Sequence, residues 1–130
     1  MTGRFSALAG SSVVHLLFAF VAMGSWAVFA NRVHPMPQPV VAGAVQGSLS
    51  ALITLFLKSG IDLLSKRISG SATYWAPPLI VLIASVSLLA GFHWLSGTPE
   101  IASTIAVPLA VSTSYAALYN FSLARKRRQP

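Results

Sequence analysis

The feature that most constrains this chain is its succession of long runs without a charged residue. Between Arg4 and Arg32 lies SALAGSSVVHLLFAFVAMGSWAVFA, whose only titratable side chain is His15. A bilayer core takes about 20 consecutive apolar residues in a helix. Residues 8–29 therefore make one span, and the same criterion gives further spans at 40–57, 76–95 and 101–124. Only 8% of the residues are charged and the mean hydropathy is +0.71, whereas a soluble domain carries roughly a quarter charged residues. So few charges cannot coat a water-soluble particle, and lipid has to be the solvent for most of the surface. The expected fold is all-α: a polytopic membrane protein with four transmembrane helices in two hairpins, forming one domain over residues 1–130. A secretory signal peptide is the other reading of the first run, with Arg4 as its basic flank. That run is longer than the roughly 7–15 apolar residues usual for such a segment.

The connections carry their own signals. Pro35, Pro37 and Pro39 alternate in NRVHPMPQP, which rules out a helix there and predicts a short, stiff, extended turn. Pro39 stands at the mouth of the second span, where its missing N–H costs nothing, and that span may be prolonged to Leu64 at the membrane surface. Tyr74-Trp75 and Trp94 bracket the third span, and Trp26 lies near one end of the first, as interfacial aromatics do. Pro108 falls inside the fourth span, where a kink is the default expectation. The pairs Gly24-Ser25-Trp26 and Gly91-Phe92-His93-Trp94 are alike, as are Ser48-x-Ser50 and Ser112-x-Ser114, so a duplicated hairpin is an open reading.

Basic residues fix the expected orientation. Arg4, Lys58, Lys66, Arg67, Arg125, Lys126, Arg127 and Arg128 fall on one side of the spans and Arg32 alone on the other. That bias places both termini in the cytoplasm of a bacterial inner-membrane type of cell membrane. It also argues against a dual-topology transporter of the small multidrug type, which needs a near-even balance. A net charge of +7 is thus a topology signal, and no nucleic-acid partner is expected. The absence of cysteine excludes disulfides, thiolate metal sites and cysteine nucleophiles.

The second span is the most informative. In VVAGAVQGSLSALITLFLKSGID (residues 40–62), Gln46, Ser50, Thr54, Lys58 and Asp62 recur every four residues, which places them along one slowly drifting helical face. Gly43 and Gly47 lie beside that stripe and allow another helix to approach closely. Gln46 is the costly residue, because an amide in hydrocarbon must find partners or lose several kcal/mol. It either bonds across to a neighbouring helix or lines a polar path. Lys58 and Asp62 form an i,i+4 pair in the less favoured order. Lys58 either snorkels to the headgroups or attracts an anion.

The fourth span carries a matching stripe of Thr104, Pro108, Ser112, Tyr115 and Tyr119. The two helices run in the same direction, so their stripes are expected side by side. Gln46 then meets Thr104 and Pro108, Ser50 meets Ser112, and Thr54 and Lys58 meet Tyr115 and Tyr119. The candidate path is Gln46, Ser50, Thr54, Lys58, Ser112, Tyr115 and Tyr119. His15 and Asp62 are candidates for a proton-coupled step, set against a plain hydrogen-bonded role. His34, His93 and Glu100 share one side of the membrane and suit a divalent metal only if they converge. No close ligand spacing supports that, so no metal site or cofactor is expected. Arg125, Lys126, Arg127 and Arg128 suit contact with anionic lipid at the cytoplasmic face, besides their role as a topology anchor.

Two acids on opposite sides cannot clamp Mg²⁺ for phosphoryl transfer, and neither G-x-S-x-G nor H-E-x-x-H occurs. An enzyme is not expected. The four-span plan and the ending YNFSLAR (residues 119–125) resemble the GtrA-like polyprenyl-phosphate-sugar translocation proteins. The resemblance is confined to that ending; the N-terminal half departs from the family's pattern, so it assigns no membership. The expected function is transport or translocation of a small polar or anionic solute, or a lipid headgroup, along the seam between the second and fourth spans. Four spans enclose little, which predicts a homo-oligomer. The alternative is a non-transporting accessory or scaffold subunit whose polar stripe docks on another membrane protein.

Overall fold

The computed structural model describes the backbone of residues 2–128 and the side chains of residues 12–128. Four long helices follow one another: α1 (Thr2–Ala30), α2 (Gln38–Arg67), α3 (Ala76–Leu95) and α4 (Ile101–Arg128), with a short 3-10 turn at Gly70–Tyr74 before α3. All four are long and apolar enough to cross a membrane, so the chain is a small integral membrane protein. α3, at 20 residues, is about 30 Å long and just spans the hydrocarbon. α2, at 30 residues, is about 45 Å long and must project beyond it.

Two expectations about the connections change. α2 continues as a single helix to Arg67, past residue 57 and three residues beyond the expected prolongation to Leu64. Lys58, Ser59 and Asp62 do not break a helix, Lys66 and Arg67 in its last turn suit the negative end of the dipole, and the first strong punctuation is Ser69-Gly70. Gly70 has φ 74°, a left-handed conformation that only glycine adopts without strain. The 31–37 connection is a series of tight turns, with His34 N–H donating to the Asn31 carbonyl (3.0 Å) and Gln38 N–H to that of Pro35 (3.1 Å). It has to reverse direction between two packed helices, and an extended proline segment cannot do that.

α2 and α4 are the central pair, each packed against all three other helices, and the most extensive contact is that between α1 and α2. The α1–α2 crossing is made backbone to backbone. A methyl group added at Gly24 would lie 2.9 Å from the Gly43 carbonyl oxygen, and one added at Gly47 would lie 2.9 Å from that of Phe20. The close approach expected at Gly43 and Gly47 is therefore present, with α1 as the partner. Such small-residue crossings replace the hydrophobic driving force that lipid cannot supply.

The interior has the polarity that lipid solvent demands. Among the described residues apolar packing forms two small clusters, Leu49–Leu89–Ile105 and Leu57–Ile61–Ala116. Alongside them, Asn31, Gln46, His93, Thr104 and Asn120 are fully buried, while Phe18, Leu118 and Trp94 are more than 70% exposed. In water such an arrangement would be inside out. In a bilayer it lets the buried polar side chains bond to one another within the protein, Asn120 Oδ1 excepted.

Candidate functional site

Polar side chains gather at the two ends of the bundle. One end is formed by residues 31–37 and 96–100 (the short-loop end), the other by the C-termini of α2 and α4 (the basic end).

At the short-loop end Gln46 is the hub. Its Oε1 lies 2.8 Å from His93 Nε2, and its Nε2 donates to Ser50 Oγ at 2.8 Å. His93 Nδ1 is 2.7 Å from Thr98 Oγ1. An amide oxygen only accepts, so in this arrangement His93 carries its proton on Nε2 and Thr98 donates to Nδ1. Gly97, with φ 75°, folds the 96–100 turn back so that Thr98 reaches the ring. A second set of bonds runs beside the first. Asn31 Nδ2 donates to Thr104 Oγ1 and to the Ala27 carbonyl, each at 2.8 Å. Its Oδ1 accepts from the Glu100 N–H at 3.0 Å. Glu100 Oε1 meets His34 Nε2 at 2.9 Å, the only approach of a basic side chain to a carboxylate within 4 Å among the described residues. Trp26 Nε1 donates to the Ser103 carbonyl at 2.9 Å. In low dielectric each of these bonds is stronger than in water and each broken one more costly.

At the basic end the same stripe is open. Asp62 Oδ1 accepts from the Tyr119 hydroxyl at 2.6 Å. Tyr115 stacks on Tyr119 with ring centroids 5.9 Å apart, and Lys58 Nζ lies 5.8 Å from the Tyr119 centroid. The Lys58 ammonium thus faces an aromatic ring and makes no ion pair with Asp62. Nearer the helix ends, buried Asn120 donates to the Thr73 and Tyr74 carbonyls (2.8 and 3.1 Å), tying the 3-10 turn to α4. Its Oδ1 is buried without a protein partner.

The residues singled out from the sequence divide accordingly. Gln46 and Ser50 are buried, and their bonds go to each other and to α3. Thr104 bonds to Asn31, just past the end of α1, so the expected meeting of Gln46 with Thr104 and Pro108 is replaced by Gln46 with His93. Ser112 is half-buried and its hydroxyl returns to the Leu109 carbonyl at 3.4 Å. Thr54, Lys58 and Tyr115 are exposed on the bundle surface. Lys58 does meet Tyr119, while Asp62 takes up the Tyr119 hydroxyl. His15 is exposed on α1, and Arg125, Lys126, Arg127 and Arg128 are exposed in the last turn of α4. His34 and Glu100 converge but His93 goes elsewhere, and no cluster of three ligating side chains occurs among the described residues. Asn31 and Asn120 are not among the residues that the sequence pattern singles out. The available signal for both was a carboxamide at the end of an apolar run. No family model, curated protein or solved structure matches the chain.

Proposed function

We propose that this protein is a non-enzymatic translocation protein that passes an anionic group, a lipid headgroup or a small anion, along the exposed α2/α4 face. Lys58 is the observation that carries this reading. Its ammonium lies about 13 Å along α2 from Arg67, at the edge of the apolar run 40–57, facing an aromatic ring and with no carboxylate in ion-pair contact. A cation at the edge of a span that is neither paired nor carried off to the helix end is in position to meet an anionic group. The scarcity of acid–base groups favours a non-enzymatic role: Asp62 is taken up by Tyr119 and Glu100 by His34. One chain encloses no continuous path, so a homo-oligomer, most simply a twofold dimer, completes the route beside Thr54, Lys58 and Tyr115. The basic bias puts Lys58 nearer the cytoplasmic leaflet, with both termini in the cytoplasm of a bacterial-type inner membrane and the last turn of α4 against anionic lipid.

A second reading is favoured by a different observation. The upper half of the stripe is already saturated by Gln46, Ser50 and His93, which leaves little for a cargo to bond. A docking subunit needs only the exposed half. Purified protein in vesicles containing fluorescent phosphatidylglycerol separates the two. Translocation predicts label exchange between leaflets well above that of protein-free vesicles, with at least a tenfold loss in Lys58→Met. The same vesicles loaded with inorganic phosphate test the small-anion arm. Absence of both fluxes in the wild-type protein sinks translocation and leaves docking.

A further inference from the structure

A cavity of about 230 Å³ opens at the basic end between the C-terminus of α2, the 68–74 connection and the last turn of α4. Lys66, Arg127 and Arg128 line it, together with the hydroxyl residues Ser69 and Thr73 and the ring of Tyr74. No carboxylate contributes to its wall: Asp62 is engaged by Tyr119 and Glu100 lies at the opposite end. Three cations around one small concavity, without an acid among them, make a site of single sign.

The two arginines are placed by the fold rather than merely tethered near it. Arg127 donates through Nη1 to the Ser65 carbonyl, which fixes the guanidinium across the cavity and leaves its other N–H groups to donate elsewhere. The Arg128 guanidinium lies 4.9 Å from the Tyr74 ring centroid, and Tyr74 in turn packs on Phe121 at 5.9 Å. Asn120 holds the Thr73 and Tyr74 carbonyls from behind. Ser69 precedes the 3-10 turn and makes no capping bond with its side chain, so its hydroxyl is available to a ligand. Planar guanidinium groups recognise phosphate oxygens through paired N–H bonds, and lysine adds a compact charge.

Size and depth narrow the ligand. The volume is below the roughly 300–1,000 Å³ of pockets for drug-sized molecules, so it suits one phosphoryl group with a short substituent and not a nucleotide. Tyr74 and exposed Trp75 mark the level as interfacial, where lipid phosphates lie. We infer that this cavity is a binding site for a single phosphate group, presented by a lipid headgroup at the membrane surface or as free phosphate. The site is separate from the Lys58 surface and does not depend on the translocation reading.

The test uses the full-length protein in neutral-detergent micelles, titrated with dihexanoyl phosphatidic acid, dihexanoyl phosphatidylglycerol and inorganic phosphate. Saturable binding of the lipids with much weaker binding of phosphate identifies the headgroup as the source; equal binding of phosphate identifies the free anion. The combined change Lys66→Met and Arg128→Gln is expected to weaken binding at least tenfold, and Ser69→Ala about threefold. The combined change Arg32→Gln and Arg67→Gln removes the same net charge from residues outside both the cavity and the last turn of α4, and is expected to change binding less than twofold. Equal losses in the two charge variants would overturn the assignment, since net charge alone would then suffice. So would the absence of saturation with all three ligands. Arg127 is left intact in these variants because its bond to Ser65 ties α4 to α2. Lys58→Met should leave this binding unchanged while removing flux, so failure of one site is distinguishable from failure of the other.

Discussion

The two ends of the bundle begin from the same kind of sequence and reach opposite states. At the short-loop end Gln46, His93, Thr98, Asn31 and Thr104 are buried and bonded to one another. At the basic end Lys58, Tyr115 and the arginines of α4 face outward, and a cavity stands open beside Lys66. The difference separates polarity that holds helices together from polarity that is left for something else. A saturated network is expensive to disturb and has little capacity for a ligand, while an open one is cheap to disturb and retains that capacity.

The sharpest way to break the contrast is at His93. His93→Leu leaves the Gln46 amide oxygen buried without a partner and the Thr98 hydroxyl with only its 3.4 Å contact to Ser96 Oγ, at about 1–3 kcal/mol for a buried group left unpaired. A loss of about 3 kcal/mol is expected in a reversible unfolding measurement in micelles. Adding Gln46→Leu should recover a large part of it, because both partners are then apolar. No recovery would mean that the pair is not coupled. Gly43→Val comes next, since a side chain there meets the Gly24 carbonyl at 3.0 Å. The expected cost is about 1–3 kcal/mol, together with weaker protection of α1 in hydrogen exchange. At the basic end Tyr119→Phe removes one half-buried bond to Asp62 and should cost about 1 kcal/mol. Lys58→Met should move stability by less than about 0.5 kcal/mol, with its effect confined to flux in vesicles. A large stability loss in Lys58→Met would erase the distinction between the ends.

Much of the architecture could be read from the residues. The spacing of charges located all four helices, and α3 has the expected bounds of Ala76 and Leu95. Gly43 and Gly47 announced a close crossing, and Gln46 announced that it required a partner. The partner itself was not legible. In a soluble helix the apolar stripe marks the inward face, but here lipid and core both accept Leu, Ile, Val and Phe. Nothing in the local pattern then fixes the rotation of α2 about its axis. Gln46 finds His93, 47 residues further on, because α3 packs on the side where α4 was expected. The regular four-residue stripe also drifts around the axis, so it begins at buried Gln46 and passes through exposed Thr54 and Lys58. A single face drawn through all of it joins residues with different surroundings. The cavity at the basic end was invisible for a related reason: it needs Gly70 and Asn120 to fold the 68–74 connection against α4.

The glycine crossing at Gly24, Gly43 and Gly47 has a mechanical consequence. Where the two backbones touch, only Val28 (against Gly43) and Phe20 (against Gly47) place side-chain atoms in the seam, so α1 and α2 should move as one rigid plate. The bonds Trp26–Ser103, Asn31–Thr104, His34–Glu100, Gln46–His93 and Asp62–Tyr119 all run from that plate to the half formed by α3 and α4. They act as latches across one dividing plane, and any large rearrangement of this molecule would open there, unfastening polar pairs while leaving the glycine seam shut.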